Sequence, residues 1–130
     1  MAKGINIKPN LPLYPLMTTI YHNPRCSKSR TTLGLLEERG IDPDVVLYLN
    51  DPLDAATLAE LTRKLGVGIR EIMRSGEARY KELNAGDPAL SEEQLIAMVS
   101  ENPILLERPI VVNGDRAAVG RPPENVLDIL

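Results

Sequence analysis

The chain has 130 residues, 43% of them hydrophobic and 25% charged, which allows one compact domain and makes disorder unexpected. Phe and Trp are absent, and there is a single cysteine, Cys26, and a single histidine, His22; this excludes an internal disulfide, a zinc finger, a CxxC pair and a His-rich metal cluster. The formal net charge of −3 gives no field that gathers nucleic acid or acidic membrane, and no apolar run reaches the ~18 residues of a spanning helix.

With four Tyr as the only aromatics, the core is expected to consist of Leu, Ile, Val and Met. Residues 1–16 read as a Pro-rich N-terminal tail ahead of a single domain over residues 17–130. Pro9, Pro12 and Pro15 interrupt any signal-peptide core. A lone free thiol suits a reducing compartment, so a cytoplasmic location is expected.

Thr18 to Tyr21 is β-branched and aromatic and predicts a short strand, broken by His22-Asn23-Pro24. Ser27 to Arg39 carries Leu33 and Leu36 at helical spacing and ends at Gly40. Val45-Val46-Leu47-Tyr48-Leu49 is continuously apolar, which predicts a strand buried on both faces. These three elements form a βαβ unit with a parallel pair and a right-handed crossover.

A helical middle follows. Asp54 caps a helix bearing Leu58, Leu61 and Leu65, and Gly66 ends it. Ile69 to Arg74 predicts a short helix stopped by Gly76, and Glu77 to Leu83 adds a turn or two. Ser91-Glu92-Glu93-Gln94 fits a capping box opening a helix that Pro103 closes. Ile110 to Val112 and Ala117 to Val119 flank Asn113-Gly114, a hairpin signal. Pro122-Pro123 opens a last helix with Val126, Leu127 and Leu130 on its apolar side. With the middle helices set aside, the order is βαβ-ββα, an α/β thioredoxin-like fold carrying an α-helical insertion between its halves.

The chemistry concentrates at the carboxyl end of the first strand, where open α/β sheets gather their sites. Cys26 falls at the start of the first helix, where backbone N–H groups and the helix dipole favour thiolate over thiol. His22, Arg25, Lys28 and Arg30 bring up to four cationic groups close to it, and Ser27 and Ser29 supply hydrogen-bond donors. The expectation is an activated nucleophile beside an oxyanion site. A phosphatase-type loop is excluded, because that chemistry needs an arginine six residues after the cysteine and Thr32 stands there.

The loop His22-Asn23-Pro24-Arg25-Cys26-Ser27-Lys28-Ser29-Arg30 resembles that of the glutaredoxin-coupled arsenate reductase family. So do Glu107-Arg108-Pro109-Ile110-Val111-Val112 and Gly120-Arg121-Pro122-Pro123, in the same order from Thr18 to Leu130. The resemblance implies that Cys26 attacks arsenate and that three arginines hold the oxyanion. By motif position these are Arg74, with Arg70 and Arg79 near it; Arg108, ahead of a cis-proline; and Arg121, ahead of the last helix. It implies further that His22 and Ser29 tune the thiol. Guanidinium forks suit tetrahedral oxyanions as lysine does not.

With no second cysteine to resolve Cys26, an outside thiol is required. The resemblance implies glutathione as co-substrate and glutaredoxin after it, with no bound cofactor or metal called for; charge and hydropathy lead to the expectation of no nucleic-acid and no membrane partner. Two alternatives stand beside this reading. One is a glutathione-linked thiol reductase acting on another substrate. The other is a non-catalytic RNA-polymerase-binding regulatory module of the same fold, against which Ser29 counts because it replaces the second cysteine of a CxxC switch.

Overall fold

The computed structural model describes residues 17–130, so the tail expected over residues 1–16 lies outside the described residues. Strand β1 (Thr18–Tyr21) runs into helix α1 (Ser27–Glu38), which returns to strand β2 (Asp44–Val46). Helices α2 (Ala55–Leu65), α3 (Ala78–Glu82) and α4 (Glu92–Glu101) follow, with 3₁₀ turns at Ile69–Ile72 and Pro103–Leu105. Strands β3 (Ile110–Asn113) and β4 (Arg116–Val119) then lead into a 3₁₀ segment, Pro123–Ile129. The sheet order is β2-β1-β3-β4, with β1 parallel to β2 and antiparallel to β3, and β3 antiparallel to β4. This is the thioredoxin-like α/β arrangement with a helical insertion between βαβ and ββα.

Alternation along the central strands divides the core into two layers. Ile20 and Val111, paired across β1 and β3, face α1 and the C-terminal segment and pack with Leu36, Val126 and Ile129. Ile110 faces the insertion instead, among Leu58, Leu61, Leu95, Val99 and Leu105. The sheet is therefore covered on both sides, and the carboxyl end of β1 leads into the loop that carries Cys26.

Local signals in the sequence account for most element ends. Gly40 (φ 75°) closes α1, with Ile41 N–H on the Leu36 carbonyl and Gly40 N–H on that of Glu37. The Asp54 carboxylate accepts the Thr57 N–H at 2.8 Å, and Ser91 and Gln94 complete the reciprocal capping box.

Four expectations need correction. The apolar run at 45–49 is not a strand buried on both faces: β2 stops at Val46, and Val45, Leu47 and Leu49 are each about 40% exposed. As the sheet edge, β2 has no neighbour on one side among the described residues, and the chain turns where Asn50 and Asp51 both donate to the Leu47 carbonyl. The core is not purely aliphatic, because Tyr48 is buried to 1% exposure within the larger cluster. The short helix ends at Ile72, so Arg74 lies beyond it. The last helix is 3₁₀, whose three-residue period buries Val126 and Ile129 rather than Leu127 and Leu130.

Candidate active site

Cys26 is the N-cap residue of α1, half-buried, in extended conformation (φ −93°, ψ 124°) with no side-chain capping bond. Its loop is braced from within. Cys26 N–H donates to the Asn23 carbonyl, Arg25 N–H donates to Asn23 Oδ1, and Arg30 Nη1 donates to the Pro24 carbonyl, each at 3.0 Å. His22 N–H donates to the Val46 carbonyl at 2.9 Å, which ties the loop to β2.

Ser29, on the first turn of α1, is fully buried. Its Oγ lies 2.7 Å from His22 Nδ1 and accepts the Asn23 N–H at 3.1 Å. Burial of the imidazole, reinforced by the Arg30 charge, holds the His22 pKa below its ordinary value. This corrects the expectation that His22 adds a cation to the loop, since the environment favours the neutral ring.

The three arginines arrive from separate segments. Met73 pairs with Leu106 in an isolated antiparallel bridge, Arg74 N–H donates to the Leu105 carbonyl at 2.7 Å, and Glu107 N–H donates to the Ile72 carbonyl at 2.8 Å. Arg74 and Glu107 therefore stand side by side, while Arg70 turns away to the carbonyls of Ala85 and Asp87 and Arg79 turns to Asn102. Arg108 follows Glu107 and precedes Pro109 through a cis peptide bond; the Arg121–Pro122 bond is also cis. Gly120 N–H donates to the Pro109 carbonyl at 2.9 Å, which sets Arg121 beside Arg108.

Arg121 reaches the sulfur: its Nη1 donates to the Arg108 carbonyl at 2.9 Å and lies 3.9 Å from Cys26 Sγ. The side chain of Arg108 is mostly buried, and its Nε and Nη1 are buried without a hydrogen-bond partner among the described residues. A buried guanidinium with open donors is expensive unless an anion completes it. Arg74 is tied to Glu77 at 2.5 Å.

Two residues at the site were not singled out from the sequence. Glu107 Oε1 lies 3.7–3.8 Å from nitrogens of Arg74, Arg108 and Arg121, a single carboxylate shared by all three. Tyr48 lies behind them. Burial pushes its phenol up to about 12; Cys26 and Glu107 add to the rise, and Arg74 and a hydrogen bond with Asn23 oppose it. Glu107 stands within a quoted motif and could have been noticed as the lone acid beside Arg108. For Tyr48 the apolar run concealed the signal.

The chain matches the ArsC family model over residues 21–129. An arsenate reductase of Haemophilus influenzae is 50% identical over 112 residues, 85% of this chain and 97% of that protein. An uncharacterized Escherichia coli protein, YfgD, is 60% identical over 112 residues, 85% of this chain and 94% of the relative. Among solved structures, an arsenate reductase from Vibrio cholerae superposes with a TM-score of 0.87 at 50% identity, covering 90% of this chain and all of that one.

Proposed function

The chain belongs to the ArsC family, and from that premise we propose that it reduces arsenate to arsenite through Cys26, with glutathione as co-substrate and glutaredoxin as the protein that restores the thiol. The observation that carries this reading is Arg121 Nη1, poised 3.9 Å from Cys26 Sγ while bonded to the Arg108 carbonyl. Nucleophile and anion-binding guanidinium thereby share one small volume.

In this scheme Arg74, Arg108 and Arg121 hold the oxyanion, and the open donors of Arg108 supply bonds that strengthen as charge builds on it. Cys26 thiolate forms a sulfur–arsenic bond and one arsenic–oxygen bond breaks, the oxygen leaving as water after protonation. His22 and Ser29 fix the loop that aims the sulfur. Arsenate plus two thiols gives arsenite, one disulfide and water, so a second thiol must enter from outside this one-cysteine chain.

Glutathione fills that role as co-substrate, with no bound cofactor in the scheme, and its use places the protein in a reducing, cytoplasmic setting. A groove of about 270 Å³ beside the loop, with Pro24, Arg25, Leu47 and Leu49 in its walls, offers a mixed apolar and cationic surface for a thiol-bearing peptide.

Arsenite release with glutathione and glutaredoxin, measured for the wild type beside Cys26→Ser, tests the proposal. Activity in the wild type alone is expected. Equal activity in both proteins removes Cys26 from the mechanism. No release by a wild type whose thiol still alkylates removes arsenate as the substrate.

A further inference from the structure

Three arginines alone make an indiscriminate trap, since any tetrahedral dianion offers the acceptors that guanidinium groups seek. This site contains a fourth charge of opposite sign. Glu107 Oε1 lies 3.7 Å from Arg121 Nη1, 3.8 Å from Arg74 Nε and 3.8 Å from Arg108 Nη1. The same oxygen accepts the Arg108 backbone N–H at 3.2 Å. None of these four contacts uses Oε2.

The three guanidinium distances are those of ion pairs rather than of hydrogen bonds. The arginine donors are therefore not consumed by the carboxylate, and Nε and Nη1 of Arg108 have no hydrogen-bond acceptor among the described residues. The Glu107 side chain is 27% exposed, so a ligand entering from solvent meets it. An anion seated on the arginines lies against a negatively charged acceptor. A fully deprotonated anion such as sulfate has only lone pairs to present there. A singly protonated one, such as hydrogen arsenate, presents one O–H that donates to the carboxylate.

We propose that Glu107 is a specificity-determining residue: it accepts a hydrogen bond from the hydroxyl of a protonated tetrahedral oxyanion and excludes fully deprotonated ones. The inference rests on the reading of this cleft as an oxyanion site, and it adds the protonation state of the ligand that the cleft admits.

The test follows alkylation of Cys26 by iodoacetamide in the full chain, at neutral pH and constant ionic strength, with increasing inorganic phosphate or sulfate; phosphate keeps a hydroxyl at this pH and, unlike arsenate, is not reduced by the thiolate. Phosphate is expected to protect the thiol at a concentration about 10–100-fold below that of sulfate, the scale of one charge-assisted hydrogen bond exchanged for a repulsion. In Glu107→Gln the carboxamide NH₂ donates to sulfate, and the gap should close to within about threefold. Glu107→Asp keeps the carboxylate and should keep sulfate out.

Equal protection of the wild type by the two anions, or an unchanged gap in Glu107→Gln, overturns the role of Glu107 and leaves the oxyanion site standing. Protection by neither anion overturns the oxyanion site and the inference together.

Discussion

Ser29 Oγ and His22 Nδ1 lie 2.7 Å apart inside the protein, and the same Oγ accepts the Asn23 N–H at 3.1 Å. After accepting the Asn23 N–H, the hydroxyl still has one proton to give and one lone pair to offer, so it satisfies Nδ1 in either tautomer of the ring. A side chain of the first helical turn thus fixes both the ring of His22 and the backbone that leads into Cys26.

Removing that hydroxyl should be costly. Ser29→Ala leaves the Asn23 N–H and His22 Nδ1 without their partner in a site that is fully buried at residue 29. The expected loss is about 1–3 kcal/mol of unfolding free energy, the usual penalty for stranding a buried polar group. Urea denaturation reads it as a lowered midpoint with an unchanged slope. An unaltered midpoint would show that water replaces the hydroxyl at no cost.

His22 gives the fold a pH dependence of definite sign. Burial, and then the Arg30 charge, depress its folded-state pKa below that of the unfolded chain. As pH falls below ~6.5 the unfolded chain takes up the proton first, so stability is full above that pH and declines towards the folded-state pKa. The slope contributed by one such group reaches at most about 1.4 kcal/mol per pH unit. Thermal unfolding between pH 7.5 and 5.5 should show a fall for the wild type and a flatter profile for His22→Gln. Parallel profiles would deny the titration to His22.

The features legible in the sequence are those written in adjacent residues. Asp54 three before Thr57, Ser91 three before Gln94, and Gly40 after a leucine-spaced run each carry their physics within one helical turn. Cys26 at the start of α1 is legible for the same reason. Periodicity failed at 45–49, because when every residue is apolar an alternation of exposed Leu47 and Leu49 with buried Tyr48 leaves no trace. Glu107 was hidden for another reason. Its position against Arg74 depends on the bridge from Met73 to Leu106, a pairing across more than thirty residues that no local pattern announces.

Arg121 places its Nη1 3.9 Å from Cys26 Sγ while donating to the Arg108 carbonyl at 2.9 Å. Arg121→Lys keeps the charge but substitutes a point donor on a flexible stem for a rigid fork. It should lower kcat/KM for arsenate by about 10–100-fold, and Arg121→Ala should lower it further. Initial rates of arsenite release across a range of arsenate concentrations measure both. A loss under about threefold for the lysine variant would mean that charge alone suffices there.

Gly120 is the position where the packing of Arg121 is most exposed to a single methyl group. An alanine Cβ at 120 would stand 2.6 Å from Thr32 Oγ1 and 2.8 Å from Pro109 Cγ, both closer than real Cβ atoms approach. Neither neighbour yields easily. Thr32 is buried on α1 with its hydroxyl bonded to the Lys28 carbonyl at 2.8 Å, and Pro109 Cγ belongs to a closed ring on the residue whose carbonyl accepts the Gly120 N–H at 2.9 Å. Overpacking of this kind typically costs about 1–3 kcal/mol. Relief requires the 119–121 segment to move away from α1, and that movement carries Arg121 away from Cys26. Gly120→Ala should therefore lower the unfolding midpoint and also reduce arsenate turnover in the fraction that remains folded. Turnover per folded molecule equal to wild type would show that the chain absorbs the methyl group without moving Arg121.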